Sequence, residues 1–354
     1  MSTGIVLVTG ASGFVGANVL QAVLEAGYPA RALVRPTRTA TLKTAYGHYG
    51  DKFEVAEIDD LATSDLSAAF KGVWAVLHVG SPLPDAVTAE VSVTSAIDGT
   101  KRVIDAAHAA GVKKIVFTST FATLFDPALT WKEATYTEKG KSVRRSALSY
   151  TPKAHLDWFN PSREDALKEG LDPWTVYVIG KTLAEKSVWK FADEHKDYDV
   201  TTINAGFVLG GYAKGQTIGS LASGSNRMVY GLIAGGPLFD HGPFLPIFVN
   251  TRDLSALHVR ALQVGDVGQP KRILAQGGPF IIREAAEYLH KAHPEIEPRI
   301  APLDDSNTGK VGAYAKLVGT NAKELLGFDK FIGVEQTIDE TVAALLEKEQ
   351  AASK

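Results

Sequence analysis

The 354-residue sequence has no cysteine, which excludes disulfides, thiolate nucleophiles and cysteine-based zinc or iron–sulfur sites. It has no excess of either charge: 37 basic against 40 acidic residues leave a net −3. There is therefore no electrostatic reason to bind nucleic acid or an anionic membrane. No apolar run approaches membrane-spanning length. Met1 to Gly10 lacks both a basic head and a long apolar core, so no secretory signal is expected and the chain is expected to be cytoplasmic. The nine histidines are scattered, and the close pair His290 and His293 ends a helix before Pro294, so no metal site is expected.

What is present is globular: 45% apolar and 22% charged residues. Nearly continuous apolar runs at Ile5–Thr9, Ala30–Val34, Phe53–Ile58, Trp74–Val79 and Lys114–Thr118 read as strands. Amphipathic stretches near Phe14–Ala26, Thr37–Tyr46, Leu66–Phe70 and Ala89–Ala110 read as helices. Strands apolar on both faces and spaced by helices imply an α/β fold with a parallel, doubly wound sheet. The pattern breaks down from Phe121 to Arg163, a stretch too long for an ordinary connection. It contains Trp131 and Trp158, expected, like Trp174 further on, to be core or pocket wall, and Ser162-Arg163-Glu164-Asp165, expected to be a capped, solvated helix start. Asp172-Pro173 then supplies an N-cap followed by proline at the first helical position, predicting a helix to about His195 and a strand at Val200–Asn204. The glycine-rich segment Gly206–Gly242 reads as mobile loops over a neutral cavity. A strand at Arg272–Ala275 and helices near Ile282–Ala292, Ala322–Leu326 and Val334–Lys348 complete a smaller C-terminal part.

Directly after the first strand stands Thr9-Gly10-Ala11-Ser12-Gly13-Phe14-Val15-Gly16. Glycines at such a strand-to-helix junction allow a tight turn, a close approach of backbone to pyrophosphate and close packing of helix on strand. The helix N-terminus offers free N–H groups and partial positive charge to the phosphates. NAD sites place an acid about twenty residues further on to hold the ribose 2′-hydroxyl. This chain has no acidic residue between Glu25 and Asp51, but has Arg35 and Arg38 just past the second strand. Guanidinium groups suit a 2′-phosphate, so NADP(H) is the expected cofactor, although solvated loop arginines would look the same.

Tyr177-Val178-Ile179-Gly180-Lys181 puts a phenol and an ammonium four residues apart on one helix face. Among 11 tyrosines such a spacing arises by chance. Its position downstream of Thr118-Ser119-Thr120, at the carboxyl end of the fifth strand, is what singles it out. A carbonyl reduced by hydride needs a proton, and a free phenol titrates about three units above neutrality. A neighbouring ammonium draws that value down, and a strand hydroxyl from Ser119 or Thr120 can hold the carbonyl oxygen. Gly180 inside the helix suggests close approach by cofactor or substrate.

These motifs, with Val76-Leu77-His78-Val79-Gly80-Ser81-Pro82, Thr182-Leu183-Ala184-Glu185 and Phe248–Leu254, resemble the extended short-chain dehydrogenases. Within them the sequence is similar to the dihydroflavonol-4-reductase group and its fungal aldehyde and ketone reductases. The resemblance implies a Rossmann-type domain over 1–204, with 246–262 returning to it, and a smaller α/β substrate domain over 205–245 and 263–354. It implies transfer of the pro-S hydride of NADPH, with Tyr177 as proton donor and Lys181 beside it. By position, Arg35 resembles the 2′-phosphate ligand, and Asp60-Leu61 resemble the pair beside adenine. Val79, Ser81 and Thr118 match the cofactor-lining positions, and Ala205, Gly206 and Val208 the strand beside the nicotinamide amide. The usual catalytic serine aligns with Thr120, leaving Ser119 as the alternative. Asp98 stands where many relatives have an asparagine of the proton relay.

The expected function is reduction of a mostly apolar ketone or aldehyde by a monomer or homodimer. Phe207, Tyr212, Tyr230, Phe239 and Phe244 in a segment with few charges favour such a substrate. The alternatives are a nucleotide-sugar epimerase or dehydratase on the same fold, for which the segment offers only Lys214 and Arg227 to a diphosphate, and a non-catalytic NADP-binding regulator, which would have no use for the Tyr–Lys pair.

Overall fold

The computed structural model describes residues 4–82, 87–126, 132, 134–138, 140–141 (backbone only), 159–217, 219–239, 245–303 and 311–352. The strands are β1 (Ile5–Thr9), β2 (Ala30–Val34), β3 (Phe53–Glu57), β4 (Val73–His78), β5 (Lys114–Thr120), β6 (Thr135–Thr137), β7 (Gly140–Lys141), β8 (Asp199–Ala205), β9 (Phe207–Leu209), β10 (Ile247–Asn250), β11 (Lys271–Ala275), β12 (Gly278–Pro279) and β13 (Lys316–Val318). The helices are α1 (Phe14–Glu25), α2 (Thr39–Tyr46), α3 (Ala89–Ala109), α4 (Pro173–Glu194), α5 (Arg227–Ile233), α6 (Thr251–Gln263), α7 (Ile282–Ala292), α8 (Asn321–Leu326) and α9 (Val334–Ala352).

Seven strands form one parallel sheet in the order β11-β8-β5-β4-β1-β2-β3. Strand order reverses between β1 and β4, and in such sheets the crevice outside the carboxyl ends at that point receives the ligand. Side chains alternate across the sheet: Val6 and Val8 join the core beneath α1 and α6, while Leu7 joins the core beneath α3 and α4. This is the doubly wound Rossmann-type arrangement. A second core, with Val229, Leu232, Phe280, Leu289 and Val342, gathers α5, α7 and α9 around the small sheet β12-β10-β9.

The helix ends follow local chemistry. The Asp172 carboxylate accepts from the Thr175 N–H at 3.0 Å, with Pro173 at the first position of α4. No helix forms at Leu66–Phe70, contrary to expectation. There the Asp65 carboxylate takes the Ser67 N–H and hydroxyl at 2.9 and 2.6 Å, a side-chain turn that competes with helix. Two helices were not anticipated. The glycines around α5 masked it, whereas α6 shows buried Leu254, Leu257, Ala261 and Leu262 at helical spacing.

The C-terminal boundary also differs from expectation. Within residues 246–262, α6 packs on α1, while β10 belongs to the small sheet. However, β11 is the edge strand of the main sheet, and Ala322, Leu326 and Phe328 belong to its core. The region after residue 263 is thus divided between both cores, because β8 presents a free parallel edge that β11 completes.

Candidate active site

At the switch point, the glycines have separate reasons. Gly10 has φ +66°, and a Cβ there would lie 2.6 Å from the Gly80 Cα. A Cβ on Gly16 would lie 2.0 Å from the Gly10 carbonyl oxygen, so α1 could not start where it does. A Cβ on Gly13 would meet only that same oxygen, at 3.4 Å, leaving the outer side of the turn open. Gly13 is the N-cap of α1, contributes no side-chain cap, and is followed by no acid in the first turn, which leaves the N–H groups of Phe14 and Val15 at an uncapped helix start. A cradle of this kind fits a dinucleotide pyrophosphate.

Thr9 locks this loop to β4. Its hydroxyl accepts from the N–H groups of Val79 and Gly80 at 3.1 and 3.0 Å and bonds His78 Nδ1 at 2.8 Å. With both N–H groups donating to it, the hydroxyl gives its own proton to Nδ1, which leaves His78 Nε2–H to face Thr100 at 3.0 Å. Burial pulls His78 down to about 3, so the ring is neutral. Three residues on, the Ser81 hydroxyl is buried without a hydrogen-bond partner among the described residues.

Arg35 stands exposed just past β2 and caps the short turn Pro36–Arg38; neither Arg35 nor Arg38 forms an ion pair among the described residues. Asp60 caps its own turn through the N–H groups of Ala62 and Thr63. Leu61 lies against Gly80 and Gly99. Ala205 pairs with Thr120 across β8 and β5, and Val208 follows in β9 after Gly206, whose N–H reaches the Ala275 carbonyl at 2.9 Å. Arg35, Asp60 and Ala205 follow or end β2, β3 and β8 at the carboxyl edge of the main sheet, and Val208 belongs to the small sheet beside it.

Tyr177 and Lys181 both lie on α4. The Lys181 ammonium donates to the Thr118 carbonyl oxygen at 2.9 Å and sits 4.3 Å over the Phe117 ring. Burial lowers Lys181 to about 8, partly offset by the Glu185 carboxylate, and raises Tyr177 to about 12. In the protein alone burial therefore dominates the phenol, and the lowering expected from the ammonium does not appear. The Thr118 hydroxyl bonds His258 Nε2 at 2.7 Å, so Thr118 serves the site through its carbonyl.

The two candidate hydroxyls diverge. Ser119 donates to the buried Glu185 carboxylate at 2.5 Å, toward α4 and into the protein. Thr120, on the opposite face, makes one local bond, accepting from the Ala122 N–H at 3.3 Å. Asp98 is paired with Arg163 at 3.0 Å, so it is committed elsewhere. The same pair qualifies the expected Ser162–Asp165 helix start. Ser162 and Asp165 do cap one another, but over a single 3-10 turn, and Arg163 anchors that turn to α3. Gly180 corrects another expectation: a Cβ there would lie 3.3 Å from the Ala96 Cβ, so the glycine seats α4 against α3 and has no need of a ligand.

An aromatic cluster adjoins the phenol on one side. Trp174 stacks on Tyr177 and Phe207 at 5.6 and 5.5 Å, and Phe121 meets Phe207 and Trp174 at 5.5 and 6.2 Å. Of these rings only Phe207 and Trp174 were noted in the sequence, the latter as core or pocket wall. Trp131, Trp158 and Phe244 lie outside the described residues. Residues 210–217 are pinned rather than loose: the Thr217 N–H reaches the Ser12 carbonyl at 3.0 Å, Tyr46 hydrogen-bonds the Lys214 carbonyl, and Asn226 grips both ends of the Gly210 peptide unit. Among the described residues no cluster of histidine and carboxylates could hold a metal ion, and no helix is long and apolar enough to cross a membrane.

The chain resembles known oxidoreductases along nearly its whole length. An uncharacterized oxidoreductase of Schizosaccharomyces pombe is 30% identical, over 98% of each chain. An NADPH-dependent methylglyoxal reductase of Saccharomyces cerevisiae is 25% identical, over 97% of this chain and 98% of its own. The crystal structure of Gre2 from Candida albicans in complex with NADPH matches with a TM-score of 0.79 at 25% identity, covering 97% of this chain and 98% of that one. Residues 6–275, from β1 to the end of the edge strand β11, match the NAD dependent epimerase/dehydratase family, and the chain belongs to it.

Proposed function

We propose that the chain is an NADPH-dependent reductase of mostly apolar ketones or aldehydes. The observation that carries this reading is the aromatic cluster in which Trp174 stacks on Tyr177 and joins it to Phe207 and Phe121, with Lys181 one turn along the helix from the phenol. A cluster of rings offers dispersion and exclusion of water but nothing to compensate a buried diphosphate. NADPH supplies the hydride. Gly13 and the start of α1 would hold its pyrophosphate, and Arg35 and Arg38 its 2′-phosphate. Relatives named as NADPH-dependent reductases support the choice of cofactor.

The protein's own part is proton delivery and orientation. At about 12 the Tyr177 phenol keeps its proton at neutral pH and can give it to the carbonyl oxygen as negative charge develops there. Lys181, at about 8, is largely ammonium at neutral pH and stabilises the phenolate left behind. The Thr120 hydroxyl holds the carbonyl oxygen.

Purified protein should consume NADPH with aromatic or branched aliphatic ketones and aldehydes, and much less NADH; activity confined to nucleotide sugars would overturn the substrate class. Tyr177→Phe should lower kcat by about 10²–10⁴-fold, the usual contribution of a general acid, with NADPH affinity nearly intact. Near-normal turnover would remove Tyr177 from the mechanism. Arg35→Ala should weaken NADPH by about 1.5–3 kcal/mol more than NADH, and equal losses would refute the 2′-phosphate assignment.

A further inference from the structure

Beneath the site lies a buried ionic cluster that the chemistry above leaves unused. Glu185 follows Lys181 by one helical turn and Tyr177 by two, so the three share a face of α4. One Glu185 oxygen receives Ser119 Oγ at 2.5 Å, Thr123 Oγ1 at 2.7 Å and Asn204 Nδ2 at 2.8 Å. The other pairs with Arg272 Nε at 2.7 Å, and the two side chains are 0% and 1% exposed. Thr123 and Asn204 also reach the Thr120 carbonyl oxygen, at 3.0 and 3.2 Å. The backbone that carries the Thr120 hydroxyl and the helix that carries Lys181 are therefore tied to one carboxylate.

Stability does not account for this arrangement, because well-packed apolar side chains commonly match or exceed a buried ion pair. The place it occupies does. Among the described residues, the charged or titratable groups near Lys181 come from four elements: Tyr177 and Glu185 on its own helix, His78 on β4, His258 on α6 behind Thr118, and Arg272 on β11 behind Glu185. Burial keeps both histidines neutral, at about 3 and about 4. That leaves the Glu185 carboxylate as the anion that offsets the burial of the Lys181 ammonium.

We infer that Glu185, clamped by Arg272, is a positioning residue for the reduction: it sets the seat of Lys181 relative to the Thr120 carbonyl and keeps a negative charge one turn from the ammonium. The inference rests on the roles proposed above for Tyr177 and Lys181.

The test compares pH profiles of kcat for ketone reduction by NADPH. Loss of the carboxylate disfavours the ammonium, so in Glu185→Gln the alkaline limb should move to lower pH by about one unit, the lower end of the effect of a nearby opposite charge. With it kcat at neutral pH should fall about tenfold, as for a slightly misplaced acid, while KM for NADPH stays put. Glu185→Asp, which keeps the charge, should keep the wild-type limb. If Glu185→Gln does not fold because Arg272 is left unpaired, the double variant Glu185→Gln with Arg272→Gln removes the guanidinium together with its carboxylate and should show a smaller shift in the same direction. An unmoved limb and unchanged kcat in a folded variant, with Tyr177→Phe inactive, would overturn the inference alone. A fully active Tyr177→Phe would instead overturn the reading on which it rests.

Discussion

Two buried charge clusters touch β5, β8 and β11, one at their amino ends and one where Glu185 of α4 meets the carboxyl ends of β5 and β8, and the two are built differently. At the amino end, Asp199 is held between two ammonium groups, Lys114 at 2.5 Å and Lys271 at 2.8 Å, with Asp266 3.7 Å from Lys271 and the Val264 carbonyl capping Lys114. Burial alone would raise Asp199, but the two lysines outweigh it and hold the carboxyl below its ordinary value. At the carboxyl end, Glu185 instead draws on hydroxyl and amide donors besides its single guanidinium, and those donors reach the backbone next to Tyr177 and Lys181. The first cluster closes on itself at the end of the sheet where no ligand binds. The second is open toward the chemistry. Similar burial thus serves anchoring in one place and alignment in the other.

The sharpest break of this contrast is Asp199→Ala. It strands two buried ammonium groups, so stability should fall by about 3–5 kcal/mol in denaturant unfolding. The pH profile of kcat in the protein that remains folded should not move. A shifted profile would mean that the two ends are coupled.

The next effect separates the neighbours at the end of β5. Thr120→Val, nearly isosteric, should lower kcat by at least about tenfold through loss of the donor to the carbonyl oxygen. Ser119→Ala removes one of three donors to a Glu185 oxygen, so its main cost should be about 1–3 kcal/mol of stability. Its kcat should change less than that of Thr120→Val. The reverse order, measured side by side, would move the oxygen-binding role to Ser119.

The smallest effect comes from a charge cluster at the surface. His293 lies between Asp339 and Glu295, at 2.9 Å from each. Burial would lower this histidine, yet hydrogen bonds to Asp339 and Glu295 outweigh it and the net shift is upward. A folded value above the unfolded one stabilises the protein fully below about 6.5, and that contribution disappears as pH rises through the folded value. His293→Gln should therefore lose more Tm at pH 5.5 than at pH 9, and a gap that widens with pH would contradict the ion pairing.

How much of this was legible in the sequence depends on whether the cause was local. The Gly10–Gly16 turn, the Asp172-Pro173 cap and the Tyr177–Lys181 face are set by residues within a few positions of one another, and each lies where local rules put it. The partners of Ser119 and Asp98 are not local. Ser119 meets Glu185 across 66 residues, and Asp98 meets Arg163 across 65, so no periodicity could announce either pair. Lys–carbonyl contact shows the same limit: alternation along β5 separates the faces of Ser119 and Thr120, but only the packed fold shows that Lys181 takes the Thr118 carbonyl. The glycine-rich stretch misled for the opposite reason. Its composition is loop-like, yet Asn226 and α5 tie it down through contacts that composition does not record.

Gly180 gives α4 a mechanical tolerance. With the Ala96 Cβ only 3.3 Å from where a methyl would go, an alanine at this position would act as a shim, and the neighbour would have to yield by a few tenths of an ångström. Tyr177 and Lys181 ride on the same rigid rod to either side of that bearing surface, so any displacement is delivered to both at once. Proton transfer depends steeply on distance, whereas the fold can absorb so small a shift. The side chain missing from residue 180 thus works as a gauge block, fixing how closely two helices approach and, through one of them, where the Tyr177 phenol stands.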